Sequence, residues 1–406
     1  MRTLALTALF LSAMLSWAQA PNNPAALAPK PDPVATALVG RLDLERYKAT
    51  IKGLTQFGDR RQGTARNRAA IDWIEEKLKS YGCTNTERIH YEYNPPATPA
   101  NPNPANQSTI YGPGGSRRRG VRTSDSVNTD PMKQPDERIR ELDREPMTPG
   151  PREEVYCTKI GATHPDEMYI VAAHMDGHGW NEAANDDGSG TALVMELARI
   201  FSSPDVQTER SIRFALWNNE ETGTNGARAY VAQRKDLQGK ESPAGSGKYP
   251  EPKWLGMIQH DMMLFDHGAP RKDGTMSPQQ RPEADVNIEY QMTAKFADAA
   301  MLMAHTWQLA NEKYATDYPA NIGPHMTNTD SGPFQDVVAA ISVREAERGA
   351  QIGNGWDPHH HQPTDVFTTF NDDDFRLGLN AAQTTLGAIA ELTGAKMASL
   401  TAGGRN

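Results

Sequence analysis

The chain has 406 residues, of which 37% are hydrophobic and 23% charged, and its formal net charge is -9. This length suits one large α/β domain with insertions, or two domains, and is enough for a substantial core. The negative charge argues against general binding to nucleic acid or to an anionic membrane surface, although it identifies no partner.

The first twenty residues have the pattern of an export signal. Arg2 supplies the positive charge, Leu4 to Leu15 supply the apolar centre, and Ala18-Gln19-Ala20 fits a cleavage pattern, with a cut after Ala18 as the alternative. No later apolar run is long enough to span a bilayer. We therefore expect a signal peptide at 1–20 and an exported protein, periplasmic or extracellular.

Two helices and a strand are predicted after a mobile N-terminal segment at 21–42, which begins with a run rich in Pro, Asn and Ala. Apolar residues recur at helical spacing from Leu44 to Leu54. A second helix covers about Ala65 to Tyr81 and ends at Gly82. The segment Thr86 to Tyr93 is typical of a strand.

The composition changes between Asn94 and Arg152. This stretch is rich in Pro, Asn and Gly and then in mixed charges, so it has little that could build a core. We expect a surface insertion between two strands, partly disordered. The basic run Arg117-Arg118-Arg119 is interpreted as part of a solvated loop, since the protein as a whole is acidic.

The rest of the chain alternates strands with helices. The predicted strands are Glu154 to Ala162, Tyr169 to Ala173, Ser211 to Trp217, Trp254 to Gln259 and Val337 to Val343. The predicted helices are Ser189 to Phe201, one after Gly223, Ala294 to Ala315 and Asp372 to Leu392. This alternation predicts a three-layer α/β/α fold with a central mixed, mainly parallel sheet. A single domain would cover 43–394, with a second insertion at about 262–286 and a flexible tail at 395–406.

Cys83 and Cys157 are the only cysteines, too few for a disulfide framework. An oxidising compartment permits one bond between them. They lie on two neighbouring predicted strands, but the expected register does not place them opposite one another. The sequence leaves this bond open.

Residues able to bind metal follow successive apolar strands. Neighbouring parallel strands bring their carboxyl ends together, so groups far apart in sequence can converge at one edge of the sheet. Imidazole and carboxylate are the ligand types that zinc takes. The residues concerned are His174, Asp186, Glu220, Glu221, Asp261 and the run His359-His360-His361.

These groups suffice for a two-metal site. Two histidines and three carboxylates can hold two metals if one carboxylate bridges, which leaves one acid free. Two metals about 3.5–4 Å apart can share a hydroxide and stabilise a tetrahedral intermediate. The free acid would take a proton from water and return it to the leaving amine, and the adjacent Glu220 and Glu221 suit that division. The HExxH, GxSxG and P-loop signatures are missing from the sequence.

Five motifs in order carry a resemblance to a known family: AHMD (173–176), NDDGSG (185–190), WNNEETG (217–223), HDMM (260–263) and HHQPTD (360–365). They resemble the two-zinc exopeptidases typified by secreted bacterial leucyl aminopeptidases, a family that also contains glutamate carboxypeptidases and glutaminyl cyclases. The resemblance covers roughly Leu44 to the C-terminus, apart from the two insertions. It implies the zinc-peptidase (phosphorylase/hydrolase-like) α/β/α architecture, two Zn²⁺ ions per chain and a peptide substrate.

Carried over by position, the resemblance implies a ligand set. His174, Asp186 and Asp261 would hold one zinc ion. Glu221 and His361 would hold the other, and Asp186 would bridge the two.

The resemblance also implies roles for residues around the metals. Glu220 would be the general base, and the carboxylate of Asp176 would orient His174. Asp187 follows the bridging residue, where relatives often have a cis non-proline peptide bond. The chain departs from the family at His360, where relatives often carry a Tyr that binds the oxyanion and an imidazole N–H can do the same. It departs again at Ser331, where His is usual.

The other histidines receive plainer interpretations. His359 is expected at the rim of the site or in solvent. The remaining ones are expected on the surface or in the core rather than as ligands: His178, His260, His267, His305 and His325.

The leading hypothesis is an exported metallo-aminopeptidase. An enzyme that reads a free amine needs acids near the metals, and Glu220, Asp261 and Glu345 are expected there. A carboxylate reader needs a cationic fork, and Arg344 is the only basic residue expected close by. The alternatives are a carboxypeptidase or dipeptidase with the same metals, a single-zinc glutaminyl cyclase, and a non-catalytic binding domain. The sequence gives no expectation for the oligomeric state or the preferred side chain.

Overall fold

The structure is a computed structural model that describes residues 30–94, 127–265, 286–324, 329–345 and 357–398. Several predicted features lie outside these residues: the signal peptide at 1–20, the basic run at 117–119, most of the insertion at 262–286, the end of the tail at 399–406, and His267 and His325.

One large sheet organises the fold. The strands are β1 (Thr86–Tyr93), β2 (Gly150–Lys159), β3 (His164–His174), β4 (Val206–Gln207), β5 (Arg210–Trp217), β6 (Lys253–His260), β7 (Val286–Tyr290), β8 (Ala320–Pro324), β9 (Ala340–Glu345) and β10 (Lys396–Met397). In the described part of the chain, eight of them form a sheet in the order β1-β2-β5-β3-β6-β9-β7-β8. The short strands β4 and β10 pair separately.

Strand β3 lies in the middle of this sheet and is parallel to both of its neighbours. His174 at its end pairs with Trp217 of β5, and Ala173 pairs with His260 of β6. Strand β9 continues the parallel set beside β6. The pairs β1–β2, β2–β5 and β7–β9 are antiparallel, so the predicted mixed sheet with a parallel centre is confirmed. The carboxyl ends of four strands therefore meet at one edge.

Helices cover both faces of the sheet. They are α1 (Pro33–Val39), α2 (Leu44–Leu54), α3 (Ala65–Ser80), α4 (Glu137–Asp143), α5 (Gly188–Phe201), α6 (Asn225–Arg234), α7 (Ala297–Tyr314) and α8 (Asp372–Leu392). The larger apolar core packs α2, α3, α5, α7 and α8 against one face. The smaller core packs α6 against the other face. This confirms the three-layer α/β/α fold, and the described residues from Pro31 onward form one compact unit.

The central strands have apolar side chains on both faces. In β3, Val171 and Ala173 belong to the larger core, whereas Ile170 and Ala172 belong to the smaller one. Successive side chains of a strand point to opposite faces, so a strand covered on both sides needs a continuous apolar run. This is why such runs predicted the strand positions well.

The N-terminal segment differs from the expectation. Residues 33–39 form helix α1, whereas 21–42 was expected to be mobile. Asp32 caps this helix, because its side chain accepts hydrogen bonds from the backbone N–H groups of Val34 and Ala35. Pro33 fits the first helical position. Ala35 and Leu38 are fully buried in the larger core. The cap and the apolar face together anchor a segment whose composition resembled that of a linker.

The first insertion also differs in part from the expectation. Residues 127–149 include helix α4, whose Ile139 and Asp143 are buried, and Asn128 is buried as well. Strand β2 begins at Gly150 rather than at Glu154. The second half of this insertion therefore belongs to the domain.

The edge of the sheet beyond β9 was not fully predicted. Strands β7 and β8 are only five residues long and were missed. Strand β9 begins at Ala340 rather than at Val337, and a 3₁₀ turn at Gly332–Phe334 lies before it. The predicted tail begins too early, since Met397 is buried and β10 pairs with β4.

Cys83 and Cys157 form a disulfide bond, with their Cα atoms 6.0 Å apart. Cys157 pairs in the sheet with Thr86. Cys83 therefore lies before the first residue of β1 and is not paired opposite Cys157 in the sheet, in agreement with the expectation. The bond forms because the loop before β1 brings Cys83 next to Cys157. In the described residues, no helix is long and apolar enough to cross a membrane.

Candidate active site

The predicted site residues lie together at the carboxyl edge of the sheet. His174 is the last residue of β3, Asp261 directly follows β6, and Glu220 and Glu221 follow β5. Asp186 lies just before α5, on the loop that follows β3. A cavity of about 320 Å³ has these residues in its wall, together with His360 and His361.

One group of possible metal ligands consists of His174, Asp186 and Asp261. Nε2 of His174 lies 3.2 Å from Oδ1 of Asp186 and 3.8 Å from Oδ1 of Asp261. All three residues are buried. This is the set that the resemblance assigns to one zinc ion.

Asp186 also faces a second group. Its Oδ2 lies 3.0 Å from Nε2 of His361, and that nitrogen lies 2.9 Å from Oε2 of Glu221. One carboxylate oxygen of Asp186 therefore faces His174 and the other faces His361. This is the geometry that a bridging carboxylate requires.

His178 lies in the same cluster, although the sequence predicted a core or surface residue. Its Nε2 is 3.0 Å from Oε2 of Glu221, and its ring meets that of His361 edge-on with 4.1 Å between centroids. Among the described residues, three groups of His and carboxylate donors could hold an ion, and His178 belongs to one with Glu221 and His361. Only its spacing after His174 could have signalled this in the sequence.

The backbone of Asp176 orients His174. Nδ1 of His174 lies 3.0 Å from the backbone oxygen of Asp176 but 3.9 Å from its carboxylate. Nδ1–H therefore donates to the backbone and leaves Nε2 facing the acids. The Asp176 carboxylate accepts the backbone N–H of Glu220 at 3.0 Å instead. Its contact differs from the expected one, because the carboxylate bonds the backbone of Glu220, the predicted base, rather than the ring of His174.

Asp365, in the last of the five motifs, holds the loop that carries Asp186. Its carboxylate accepts the backbone N–H groups of Asn185 at 2.8 Å and of Asp186 at 3.1 Å. The side-chain oxygen of Asn185 in turn accepts the backbone N–H groups of Met263 and Leu264. The peptide bond between Asp186 and Asp187 is cis, as the resemblance implied.

The electrostatics of the cluster call for positive charge. Burial would lower the pKa of His174, but its hydrogen bonds to Asp186 and Asp261 raise it well above the usual value. Burial would likewise raise the pKa of Asp186, yet contacts with His174 and His361 hold it well below the usual range. Buried carboxylates at this density need cations beside them, and a divalent metal ion would supply that charge.

The donor set fits zinc. The donor groups in the described residues consist of imidazoles and carboxylates, which are ligand types that zinc takes, and Asp186 and His361 each belong to two of these groups. Oε1 of Glu221 and Nε2 of His178 are buried without a hydrogen bond to any described residue. Such donor atoms fit a cation, because a ligand bond would satisfy them.

His360 and Ser331, where the chain departs from the family pattern, have different surroundings. The ring of His360 stacks on that of His361, and its Nε2 lies 3.4 Å from Oδ2 of Asp186. Burial lowers the pKa of His360 to about 4, so the imidazole is neutral and can donate one N–H. Ser331 is buried, and its hydroxyl shares a hydrogen bond of 2.8 Å with Ser342.

Two arginines line the 320 Å³ cavity, whereas only Arg344 was expected near the site. Arg344 is buried, with Nη2 3.9 Å from Oδ1 of Asp261. Arg228 lies on α6 and is exposed, and its Nε donates to the backbone oxygen of Gly223. Glu345 was expected as an acid facing the substrate. Its Oε2 instead accepts the backbone N–H of Phe265 and the side-chain amide of Asn185.

A second cavity, of about 360 Å³, adjoins the first. The two share Glu221, and the second has His178 in its wall. Its apolar side chains include Val127, Met147 and Trp180, and the first two come from the segment that was expected to be a surface insertion.

Two other histidines match their interpretations. His260 is fully buried, with Nδ1 near the backbone oxygen of Ala172 and Nε2 near the hydroxyl of Thr385. His305 is exposed on α7. The side chain of His359 contacts its own loop, since its Nδ1 is 2.8 Å from the hydroxyl of Thr364.

Comparison with known proteins agrees with this geometry. Residues 155–382 match peptidase family M28. The chain is 39% identical to aminopeptidase YwaD of Bacillus subtilis over 79 residues, which are 20% of this chain and 17% of YwaD. It is 30% identical to carboxypeptidase Q of Xenopus laevis over 76 residues, 19% of this chain and 16% of that protein. These matches span less than a fifth of each relative.

A solved structure has the same fold. The aminopeptidase from Aneurinibacillus sp. strain AM-1 superposes with a TM-score of 0.54 at 17% identity. The superposition covers 88% of this chain and 95% of that one.

Proposed function

The chain belongs to peptidase family M28, and on that premise we propose that it is an exported zinc-dependent exopeptidase that removes N-terminal residues from peptides. The observation that carries this proposal is the convergence of His174, Asp186, Glu221, Asp261 and His361 on one cavity, which also has Glu220 in its wall.

Two zinc ions would be held by this chain. His174, Asp186 and Asp261 would hold one, and Glu221 and His361 the other, with Asp186 shared. When bound, zinc supplies Lewis-acid chemistry that polarises a carbonyl and makes a nearby water molecule more acidic.

Glu220 is the proposed general base. Its carboxyl is buried, which raises its pKa well above the usual value, and it lies in the cavity wall beside the metal-binding groups. Its backbone N–H is held by Asp176, which fixes its position. A carboxylate placed this way takes a proton from the attacking water and delivers it to the leaving amine.

Acidic groups in the cavity support the aminopeptidase assignment. The carboxylates of Glu220 and Asp261 line the wall and can receive a charged α-amine. Arg344 lies next to Asp261, which accounts for part of its charge.

The carboxypeptidase or dipeptidase alternative also has an observation in its favour. Arg228 is exposed and lines the cavity. A guanidinium there could pair with a free C-terminal carboxylate, because the two groups match in geometry.

The experiment compares one tripeptide with a leucine N-terminus in three forms: free, N-acetylated and C-amidated. Leucine is chosen because the adjoining cavity is lined by Val127, Met147 and Trp180. We expect cleavage of the free and amidated forms, no cleavage of the acetylated form, loss of activity with a chelator and recovery with Zn²⁺.

The other outcomes distinguish the alternatives. Cleavage of the acetylated form but not of the amidated form would identify a carboxypeptidase. A further tripeptide with an N-terminal glutamine is assayed beside these three forms, and its cyclisation without hydrolysis would identify a glutaminyl cyclase. A protein that binds zinc but turns over none of these peptides would be a binding domain.

Export is supported by the N-terminal pattern and by the disulfide. Arg2 and the apolar run Leu4 to Leu15 are typical of a signal peptide. The bond between Cys83 and Cys157 is typical of an oxidising compartment outside the cytosol. N-terminal sequencing of the protein recovered from the periplasm and medium tests this. An intact Met1 on a purely cytosolic product would contradict it.

A further inference from the structure

We propose that His178 is an additional protein ligand of the metal ion that Glu221 and His361 hold. This inference rests on the proposed function, because it assumes a metal ion at that position. It adds a second imidazole to a ligand set for which the family resemblance implied only one.

The donor atoms have the spacing of a metal site. Oε2 of Glu221 lies 3.0 Å from Nε2 of His178 and 2.9 Å from Nε2 of His361. Donor atoms of these three residues all lie within 4.8 Å of one another. Two ligands of a tetrahedral zinc ion at 2.0–2.1 Å are about 3.3 Å apart, so a small outward shift of each side chain would accommodate the ion.

The surroundings of His178 also fit a ligand. Its Nε2 is buried and makes no hydrogen bond with any described residue, although Glu221 is close. Oε1 of Glu221 is unsatisfied in the same way. Nε2 of His178 and Oε2 of Glu221 lie 3.0 Å apart, and Oε1 of Glu221 stays without a partner, so an ion between the two side chains would satisfy both of them.

Glycines next to His178 allow this approach. A Cβ atom on Gly179 would lie 2.6 Å from the backbone oxygen of His361, and Gly179 has φ +115°. A Cβ on Gly177 would lie 2.5 Å from Cβ of Ala183. Gly179 therefore lets the His178 loop lie close to the His361 loop, and Gly177 lets it lie close to the loop that carries Ala183 and Asp186.

Hydrogen bonds from Asn181 and Asn128 hold the His178 loop and the His361 loop together. The side-chain amide of Asn181 donates to the backbone oxygens of His178 and Gln362, at 3.0 and 2.9 Å. Asn128 donates its backbone N–H to His361 and its side-chain amide to Gly179, at 3.1 and 3.2 Å. The position of His178 is therefore built into the fold, and this rigidity favours a functional ligand.

A simpler interpretation makes an opposite prediction. If His178 were only a counter-ion of Glu221, its positive charge would compete with a metal ion. Removing it would then leave metal affinity unchanged or increase it. If His178 is a ligand, removing it lowers the affinity at one site and leaves the other site intact.

The experiment is a titration of the metal-free full-length protein with Zn²⁺ and Co²⁺. Stoichiometry comes from elemental analysis, dissociation constants from competition with a chelator, and ligand changes from the visible absorption of bound Co²⁺. The variants are His178→Ala and His178→Gln, the second of which keeps more side-chain volume. The matched control is His164→Ala, which removes an exposed imidazole from the opposite end of β3.

We expect two ions in the wild type and in His164→Ala. In both His178 variants one site should weaken by at least about 10-fold, with a changed Co²⁺ spectrum and an unchanged second site. Circular dichroism of the metal-free proteins checks that the variants fold. Unchanged or tighter binding of both ions in folded His178 variants would overturn the inference.

The same titration separates this inference from the proposed function. If the wild type binds no ion at the Glu221 site, the two-metal proposal fails and takes the inference with it. If the wild type binds two ions and cleaves peptides while the His178 variants bind as the wild type does, only the inference fails.

Discussion

The backbone N–H of Asn128 donates to the backbone oxygen of His361 at 3.1 Å. This bond joins a segment that its composition marks as an insertion to a predicted metal ligand 233 residues later in the sequence. Because Asn128 also holds Gly179, the insertion helps to fix the distance between the His178 and His361 loops. The wall of the site is therefore built partly by residues outside the five motifs.

Replacing Gly179 with alanine should displace the His361 loop. The new Cβ would lie 2.6 Å from the backbone oxygen of His361, so one of the two loops must move. We expect weaker metal binding at the Glu221 site and a loss of activity of at least about 10-fold, since metal ligands tolerate little displacement. Chelator competition and peptide hydrolysis measure the two effects.

Gly150→Ala is the matched control for this substitution. Gly150 has φ +113°, close to that of Gly179, but a Cβ there would meet nothing within 4 Å. Both variants therefore carry similar backbone strain, and only Gly179→Ala adds the collision. Equal metal affinity in the two variants would show that the close approach has no role in the site.

Exchanging Glu220 and Glu221 for glutamine should have different effects. Glu220→Gln removes the proposed base but no ligand, so both ions should remain while kcat falls by about 10²–10⁴-fold. Glu221→Gln removes a carboxylate that lies 2.9 Å from Nε2 of His361, so one ion should be lost. Elemental analysis beside kcat distinguishes them. Identical metal content in the two variants would show that the roles are assigned wrongly.

His260 should make the protein less stable in acid. Burial lowers its pKa from 6.5 to about 4, so the folded state keeps the imidazole neutral while the unfolded chain takes up a proton. This contribution to stability is present above pH 6.5 and is lost as the pH falls towards 4. It amounts to about 3 kcal/mol in the free energy of unfolding.

The variant His260→Gln tests this, because glutamine does not titrate. Its melting temperature should fall less than that of the wild type between pH 7 and pH 4.5. Both proteins are measured metal-free, so that acid release of metal ions does not contribute. His305 is exposed and supplies the control: the melting temperature of His305→Gln should depend on pH as that of the wild type does. A wild-type acid dependence in His260→Gln would contradict the assignment.

Removing the disulfide should destabilise the domain. Cys83 and Cys157 are separated by 74 residues, and closing a loop of that length contributes about 4 kcal/mol in the chain-entropy description. The double variant Cys83→Ala/Cys157→Ala should therefore melt several degrees lower. Thermal unfolding of the variant is compared with that of the reduced and the oxidised wild type. If oxidised and reduced wild type melt alike, the bond does not stabilise the fold.

The sequence alone determined the architecture and the order of the site. Apolar runs such as Tyr169 to Ala173 predicted the central strands, because a strand covered on both faces must be apolar throughout. The polar residues after these strands, His174 and Asp261 among them, could be assigned to one edge, because parallel strands end together. Short strands at the edge, such as β7, were missed because five residues carry little periodicity.

The tertiary structure decided what depends on contacts between distant loops. His178 looked like a surface or core residue until the fold placed it 3.0 Å from Glu221. Arg228 lines the cavity because of the position of α6, which the sequence does not show. The carboxylate of Glu345 accepts a hydrogen bond from the side chain of Asn185 and is not among the residues that line the cavity. Periodicity reports which face of an element a residue occupies. It does not report which loops meet, because loop conformation is set by individual glycines and hydrogen bonds such as the one from Asn128 to His361.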